Sequence, residues 1–206
     1  MNKNKFSIKN NCKYKYTIKK SEFISHSFKI NSKKDTVKHI ENINEKFNDA
    51  NHNCWAYIHG INKIKEKYSD DGEPSGTAGK PILNILKQNN VTNTLIIVTR
   101  YFGGIKLGAG GLIRAYSKAA KKVLNKSNLK KILKNHLYKI EVSYDSFGKL
   151  ENYLKQNNIL IKDKTFKEKV YLNILIPDSD LTQFLEYYKN LVRNQFKPKY
   201  IKTVYI

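Results

Sequence analysis

The stretch from Asn93 to Lys122, NTLIIVTRYFGGIKLGAGGLIRAYSKAAKK, constrains the fold more than any other part of the chain. It opens with an apolar run from Leu95 to Val98, which is short and β-branched enough to be a buried strand. Glycines follow, and apolar residues then recur at helical spacing. The stretch therefore predicts a strand that passes through a glycine turn into a helix that begins after the glycines. Those glycines are Gly103, Gly104, Gly108, Gly110 and Gly111.

The start of this predicted helix is suited to an anion. The first amides of a helix have no partner within the helix and lie at the positive end of its dipole. Nearby cations are Arg100, Lys106 and Arg114. Neither standard phosphate loop is present, because Ile113 replaces the third glycine of a dinucleotide fingerprint and Pro81 follows Gly79-Lys80. The alternative is that the glycines only permit tight strand-to-helix packing.

A second motif, the turn-rich loop from Ser69 to Gly79, precedes a short helix predicted to start near Pro81. Its three acids could bind a hard cation or act as paired acids, but their spacing is not that of an EF-hand. Local roles are favoured, namely capping of turns and pairing with Arg100 or Arg114. We predict no metal and no catalytic residue here. The motif-loop residues of interest are Asp70, Asp71, Glu73, Thr77 and, from a neighbouring strand, His52.

His52 and Cys54 lie in a predicted strand from His52 to His59, and they raise the question of a Cys-His nucleophile. Residues two apart on a strand point the same way but stand about 7 Å apart, which is too far for direct proton transfer. Alternation places Cys54 on one face with Ala56, and Trp55 on the other. The sequence thus favours a small buried thiol beside a hydrogen-bonded histidine.

Three further segments complete a recognisable pattern: SDDGEPSGTAGKPILNIL from Ser69, KKSEFIS from Lys19 and HNCWAY from His52. Together with the glycine stretch they resemble the IMPACT family, in particular its bacterial YigZ-type branch, over essentially the whole chain. Glu22 departs from the family pattern, because many members carry a basic residue there. This departure weakens any claim that the early strand adds to a basic surface.

The resemblance implies an α+β protein of two domains. The N-terminal domain would resemble the second domain of a small-subunit ribosomal protein, an α/β sandwich, and the C-terminal domain would be ferredoxin-like. The pair resembles the last two domains of elongation factor G. No enzymatic reaction is established for the family, and its eukaryotic members act in translational control during amino-acid starvation through protein partners. A bacterial member inherits only the expectation of a translation-related, stress-response role.

Periodicity independently predicts the second domain. From Asn135 onward, alternating and helical patterns follow one another in the order βαββαβ, which is the ferredoxin-like arrangement. The predicted domains are residues 14–134 and 135–206, with residues 1 to about 13 as a frayed end.

The formal charge of +22, from 39 basic and 17 acidic residues, favours phosphate polymers as partners. The excess is mostly lysine amid many Asn and Ile residues, as AT-rich coding sequences produce, so local clustering counts for more than the total. One cluster is a stripe on the predicted helix: Lys118, Lys121, Lys122 and Lys126. Aromatic residues available for stacking on bases are Tyr101, Phe102 and Tyr116, although core packing is the alternative.

The sequence-level hypothesis is a non-enzymatic cytoplasmic protein that binds RNA, the ribosome or a translation factor. No apolar run approaches the roughly 20 residues of a membrane helix, and two cysteines suit a reducing compartment. No cofactor and no membrane partner is expected, and a homodimer is left open. The predicted anion- or nucleic-acid-binding residues are Arg100, Tyr101, Gly103, Gly104, Lys106, Gly108, Gly110, Gly111, Arg114 and Lys118.

Two alternatives remain. A hydrolase-type enzyme acting on a phosphorylated or peptide substrate would need the motif-loop acids to converge with Arg100 and His52 in one concave pocket. A protein-binding regulator would instead need an exposed apolar patch and no anion site.

Overall fold

The computed structural model describes residues 4–206 and divides into two compact units, the first ending at Lys131 and the second spanning Ile132–Ile206. Every paired strand in it is antiparallel to its neighbour, and the helices pack on the sheets. The predicted α+β class with two units is confirmed.

The first unit contains a five-stranded sheet, a short two-stranded sheet and three helices. Its strands are β1 (Phe6–Ile8), β2 (Cys12–Ile18), β3 (Ser21–Lys29), β4 (His52–His59), β5 (Lys65–Ser69), β6 (Thr94–Tyr101) and β7 (Leu129–Lys131). Its helices are α1 (Lys33–Lys46), α2 (Gly79–Gln88) and α3 (Gly108–Lys126). The large sheet has the order β2-β3-β6-β4-β5, and β1 pairs with β7.

The central strand β6 is buried along seven of its eight residues because helices cover both faces of the sheet. Ile96 and Val98 belong to one core with apolar residues of α2 and α3. Leu95 and Ile97 belong to a second core with Ile43 of α1. A continuous apolar run is what a strand buried on both faces requires.

The N-terminal segment differs from the prediction of a frayed end. Residues 1–3 lie outside the described part of the chain, but Phe6–Ile8 forms β1 and β2 begins at Cys12. Ile8 pairs with Leu129 and is 1% exposed within the first core. The segment has too few apolar residues to indicate a strand by itself. Its pairing partner β7 lies far along the chain, so the local sequence does not reveal the pairing.

The second unit follows the predicted βαββαβ order. Its elements are β8 (Lys134–Val142), α4 (Tyr144–Gln156), β9 (Leu160–Phe166), β10 (Val170–Pro177), α5 (Leu181–Leu191) and β11 (Lys199–Tyr205), in a sheet of order β11-β8-β10-β9. Alternate residues of β8 and β10, such as Ile140 and Leu172, form its core with Leu150 and Phe184 of the helices. None of the helices that the structure describes is both long and apolar enough to cross a membrane.

Candidate functional site

The glycine segment between β6 and α3 is shaped by three glycines, one at a close chain approach and two with positive φ. A Cβ on Gly103 would lie 2.0 Å from the backbone carbon of Lys20, so this residue permits a close chain approach. Gly104 and Gly108 have positive φ angles of 82° and 70°, which other residues rarely adopt. Helix α3 begins at Gly108, earlier than predicted, because the residues after it already have helical geometry.

The first turn of α3 is open. No side chain caps it, and a Cβ built on Gly108 or Gly110 would meet nothing within 4 Å. The amides of this turn have no carbonyl four residues earlier within the helix, so they can donate to an outside group. This is the feature that the sequence-level hypothesis requires.

Helix α2 also starts at a glycine, but its start is filled by the protein itself. Asp70 Oδ1 accepts hydrogen bonds from the amides of Ala78 (3.0 Å) and Gly79 (2.8 Å), and Oδ2 accepts one from Gly76 (2.8 Å). A carboxylate at a helix N-terminus stabilises the helix through those amides and its dipole. Asp70 therefore has a local capping role, as the sequence favoured, and is not available as an acid or a metal ligand.

Two more motif-loop residues also hold the loop in shape. Thr77 Oγ1 donates to the carbonyl of Pro74 at 2.6 Å, and the Asp71 carboxylate accepts from the amide of Asn53 at 2.5 Å. Within residues 4–206, no group of three His, Cys, Asp or Glu side chains is arranged to hold a metal ion.

Glu73 differs from its neighbours because its carboxylate lies at the heart of the site. Its side chain is 3% exposed, and Oε1 accepts hydrogen bonds from Arg100 Nη1 at 2.6 Å and from the Tyr116 hydroxyl at 2.8 Å. Burial raises the pKa of Tyr116, so its hydroxyl keeps the proton that it donates. The Arg100 guanidinium lies between the rings of Phe23 (5.6 Å) and Phe102 (5.4 Å).

These contacts correct two predictions. Arg100 was expected to contact phosphate, but its charge is already balanced by Glu73 in a buried ion pair. Tyr116 was considered for base stacking, but it is fully buried in the core. Arg100 and Tyr116 are therefore residues that position Glu73.

His52 reaches the same site because it pairs in register with Arg100 across β4 and β6. Side chains directly opposite each other in an antiparallel pair lie on one face of the sheet. His52 Nδ1 is 2.7 Å from the carbonyl of Asp71, and since a carbonyl only accepts, Nδ1 carries the hydrogen. Nε2 is the acceptor nitrogen whenever the ring is neutral, and it lies 4.0 Å from Glu73 Oε2. This separation is too long for a direct hydrogen bond.

Cys54 is excluded as a nucleophile. It is buried, its Sγ donates to the carbonyl of Asp70 at 2.9 Å, and it also contacts the Tyr116 hydroxyl at 3.4 Å. Burial raises the pKa of the Cys54 thiol, which keeps it protonated and unreactive.

A cavity of about 430 Å³ joins the motif loop to the glycine segment. Glu73 of the motif loop and Gly108 and Ala109 of the first turn of α3 all line it, so the two sequence motifs border one cavity. Phe102 was considered from the sequence only for base stacking, and Asn51, Pro74, Leu107, Ala109 and Leu112 were not predicted as site residues. The lining residues are Asn51, His52, Glu73, Pro74, Arg100, Phe102, Lys106, Leu107, Gly108, Ala109 and Leu112.

A cationic surface continues from this cavity along α3. From Tyr101 to Lys131 the chain carries eight cations and no acid. All eight are exposed, and none of the ion pairs found within residues 4–206 involves them. Of these, Lys118 lies over the ring of Tyr16 at 4.9 Å and Lys106 lines the cavity. Tyr101 is half-buried, with its hydroxyl bound to Asp49 at 2.6 Å.

Two family models match the chain: Impact N-terminal domain over residues 19–124, and Domain of unknown function (DUF1949) over residues 140–187. The chain is 35% identical to the IMPACT family member YvyE of Bacillus subtilis, covering 98% of this chain and 93% of that protein. It is 31% identical to the IMPACT family member YigZ of Escherichia coli, and the match covers 81% of this chain and 83% of that protein. A solved structure titled "Crystal structure of an hypothetical protein" matches with a TM-score of 0.67 and 26% identity, covering 98% and 99%.

Proposed function

We propose a function from the premise that this chain belongs to the IMPACT family: it is a non-enzymatic cytoplasmic regulator associated with translation. In this proposal it binds structured RNA, such as that of the ribosome, through α3 and the glycine segment that precedes it. The family resemblance supports the translational setting, and the cationic surface of α3 supports the choice of RNA.

The single observation that carries the proposal is the placement of the positive charge. Residues 1–131 hold 26 basic and 9 acidic side chains, a formal +17 of the chain's +22. Codon bias toward lysine would act on both units alike. The segment from Tyr101 to Lys131, which has no acid, is instead confined to one part of the first unit. Unpaired exposed cations gain free energy by releasing counterions from a nucleic-acid backbone.

The open start of α3 adds a second kind of phosphate contact. Backbone amides at a helix N-terminus bind phosphate oxygens, and the helix dipole favours the negative charge. Lys106 lies beside these amides, so a phosphate there would meet both a point charge and directed donors.

The proposal is tested by filter binding of a structured RNA over a salt series from about 50 to 200 mM. The variant Lys106→Ala/Arg114→Ala/Lys118→Ala removes three cations of this surface. If each contacts one phosphate, the slope of log K against log salt should become shallower by about 2 to 3. Binding should also weaken at least tenfold.

The matched control is Lys33→Ala/Lys34→Ala/Lys38→Ala, which removes three exposed lysines from α1 in the same unit. It changes the net charge equally, but α1 packs on the opposite face of the sheet. Equal losses in the two triple variants would show that only total charge matters. Salt-independent binding, or no loss in the α3 variant, would refute the proposal.

One observation favours a second candidate, an enzyme acting on a phosphorylated or peptide substrate. Glu73, Arg100 and His52 line one cavity, as that alternative requires, and His52 Nε2, which is not used in the hydrogen bond to Asp71, is placed to act as a base. Release of phosphate from phosphopeptides, or of amino acids from short peptides, would support it if His52→Gln abolished the turnover. Turnover that survives in His52→Gln would come from another source and would remove this candidate.

A further inference from the structure

The cavity beside α3 offers three different binding surfaces at once: hydrogen-bond acceptors, anion-binding amides and an exposed aromatic ring. We propose that it binds one ribonucleotide, either free or as an unpaired residue of an RNA strand. This inference deepens the proposed function and rests on it, because it names the chemical unit that the cavity recognises.

The acceptors are Glu73 Oε2 and His52 Nε2. Both hydrogen bonds of the Glu73 carboxylate go to Oε1, while Oε2 accepts none from the described residues and has His52 Nε2 4.0 Å away. Some side-chain atoms of the described residues are fully buried and lack a hydrogen-bond partner, and Oε2 is not one of them. Because Oε2 has no donor, it must be accessible from the cavity that Glu73 lines. In the proposed arrangement the 2′-hydroxyl of a ribose donates to Glu73 Oε2 and the neighbouring 3′-hydroxyl donates to His52 Nε2.

The anion side is formed by the first turn of α3 and Lys106. Gly108 and Ala109 line the cavity, and a Cβ added to Gly108 would meet no atom within 4 Å. The Glu73 carboxylate lines the same cavity as this helix start, and its Oε2 has no hydrogen-bond donor among the described residues, which is an independent sign of a ligand. With Arg100 balanced by Glu73, the remaining charge comes from Lys106 and the amides, and it suits one phosphate group.

The aromatic side is Phe102, whose ring is exposed at 45% although it borders a cavity. Its amide donates to Asn51 Oδ1 at 2.7 Å, which fixes the backbone, and the Arg100 guanidinium lies 5.4 Å from its ring. Bases stack on such rings with little sequence preference. Leu107 and Leu112 supply apolar walls, and about 430 Å³ lies within the usual 300–1,000 Å³ of ligand sites.

Titration calorimetry with the intact chain tests the inference. Adenosine 5′-monophosphate should bind, whereas adenosine, which lacks phosphate, should bind at least tenfold more weakly. 2′-Deoxyadenosine 5′-monophosphate should bind about tenfold more weakly, because one of the two acceptors loses its donor. Equal binding of the ribo- and deoxyribonucleotide would overturn the proposed role of the acceptors, and no binding of any nucleotide would overturn the whole inference.

The variant Glu73→Gln makes the test specific. Its amide oxygen can replace Oε1 toward Arg100 and Tyr116, which turns the amide nitrogen, a donor, toward the cavity. The ribose preference should then disappear while the phosphate dependence remains. Phe102→Ala, at an exposed position, should weaken all nucleotides about tenfold without changing the ribose preference. A ribose preference that survives in Glu73→Gln would contradict the assignment.

Two further comparisons distinguish an RNA strand from a free nucleotide as the ligand, and the cavity inference from the proposed function. A short single-stranded oligoribonucleotide that binds more tightly than the mononucleotide identifies an RNA strand as the source, and the reverse order identifies a free nucleotide. RNA binding that depends on the α3 cations, without mononucleotide binding, would overturn the cavity inference and leave the proposed function standing. Ribose-selective nucleotide binding without RNA binding would support the cavity inference and refute the proposed function.

Discussion

Removal of one partner from the Glu73–Arg100 ion pair should destabilise the first unit strongly, whereas removal of both should cost much less. Glu73 is 7% and Arg100 5% exposed, and their atoms meet at 2.6 Å. In Glu73→Ala, the guanidinium stays buried between two rings without a counter-charge, and the Tyr116 hydroxyl loses its acceptor. In Arg100→Met, the carboxylate stays buried without its cation.

The magnitude follows from the burial of both groups. Breaking a fully buried pair by removing one partner costs about 3–5 kcal/mol, because an uncompensated charge remains in the interior. For a chain of this size, about 1 kcal/mol corresponds to roughly 2–4 °C in Tm, so each single variant should melt roughly 10 °C lower. The double variant Glu73→Leu/Arg100→Met replaces both charges with apolar side chains. The decrease in its free energy of unfolding should be smaller, by at least about 2 kcal/mol, than the sum of the decreases in the two single variants.

Urea unfolding followed by tryptophan fluorescence provides the assay. Trp55 is the only tryptophan of the chain and lies in β4 of the first unit, so the signal reports on the unit that contains the pair. The matched control is Lys87→Ala in α2 of the same unit, which removes an exposed partner of Glu66 and should cost less than about 1 kcal/mol. Additive losses in the double variant, or losses under about 1 kcal/mol in the single variants, would refute the buried-pair interpretation.

Two further perturbations test the glycine segment and the opposite face of the sheet. Gly103→Ala should destabilise the fold by about 3 kcal/mol or more, because its Cβ would lie 2.0 Å from a backbone carbon of Lys20. The control Gly110→Ala should be neutral or stabilising by up to about 1 kcal/mol. Equal urea midpoints for the two variants would contradict the close approach at Gly103. Burial, with two nearby lysines adding to the effect, lowers the pKa of His26 from 6.5 to about 4. As the pH falls from about 6.5 to 4, His26 therefore takes up a proton in the unfolded chain but not in the folded one, so the free energy of unfolding should decrease over that range. His26→Phe should flatten urea stability over that window, and an unchanged slope would show that His26 is not the group responsible.

Local patterns predicted the strands and helices well where burial follows a regular period. The apolar run of β6 and the alternation of Cys54 and Trp55 in β4 both appear as expected. The start of α3 was misplaced because glycines at positions 110 and 111 suggest a turn, while among the glycines of this segment only Gly104 and Gly108 have positive φ. A glycine with helical φ cannot be distinguished from a turn glycine by its identity alone.

The site was harder to predict because its contacts join distant parts of the chain. Pairing of a motif-loop acid with Arg100 or Arg114 was expected, but nothing local selects Glu73 and Arg100 from the possible pairs. The selection comes from the register of β4 and β6, which places His52 opposite Arg100, and from Asp70 being used to cap α2. Tyr116 has the helical spacing of a core residue, and that spacing was the better guide to its role.

In the proposed function, the open amides at the start of α3 receive phosphate from RNA. Amide NMR spectra of the ¹⁵N-labelled chain, recorded during titration with a structured RNA, test it most directly. The amide signals of Gly108, Ala109 and Gly110 should shift with RNA concentration, and the shifts should diminish when salt is raised or when Lys106 and Arg114 are changed to Ala. RNA binding that leaves these amides unmoved, with shifts confined to the second unit, would contradict it.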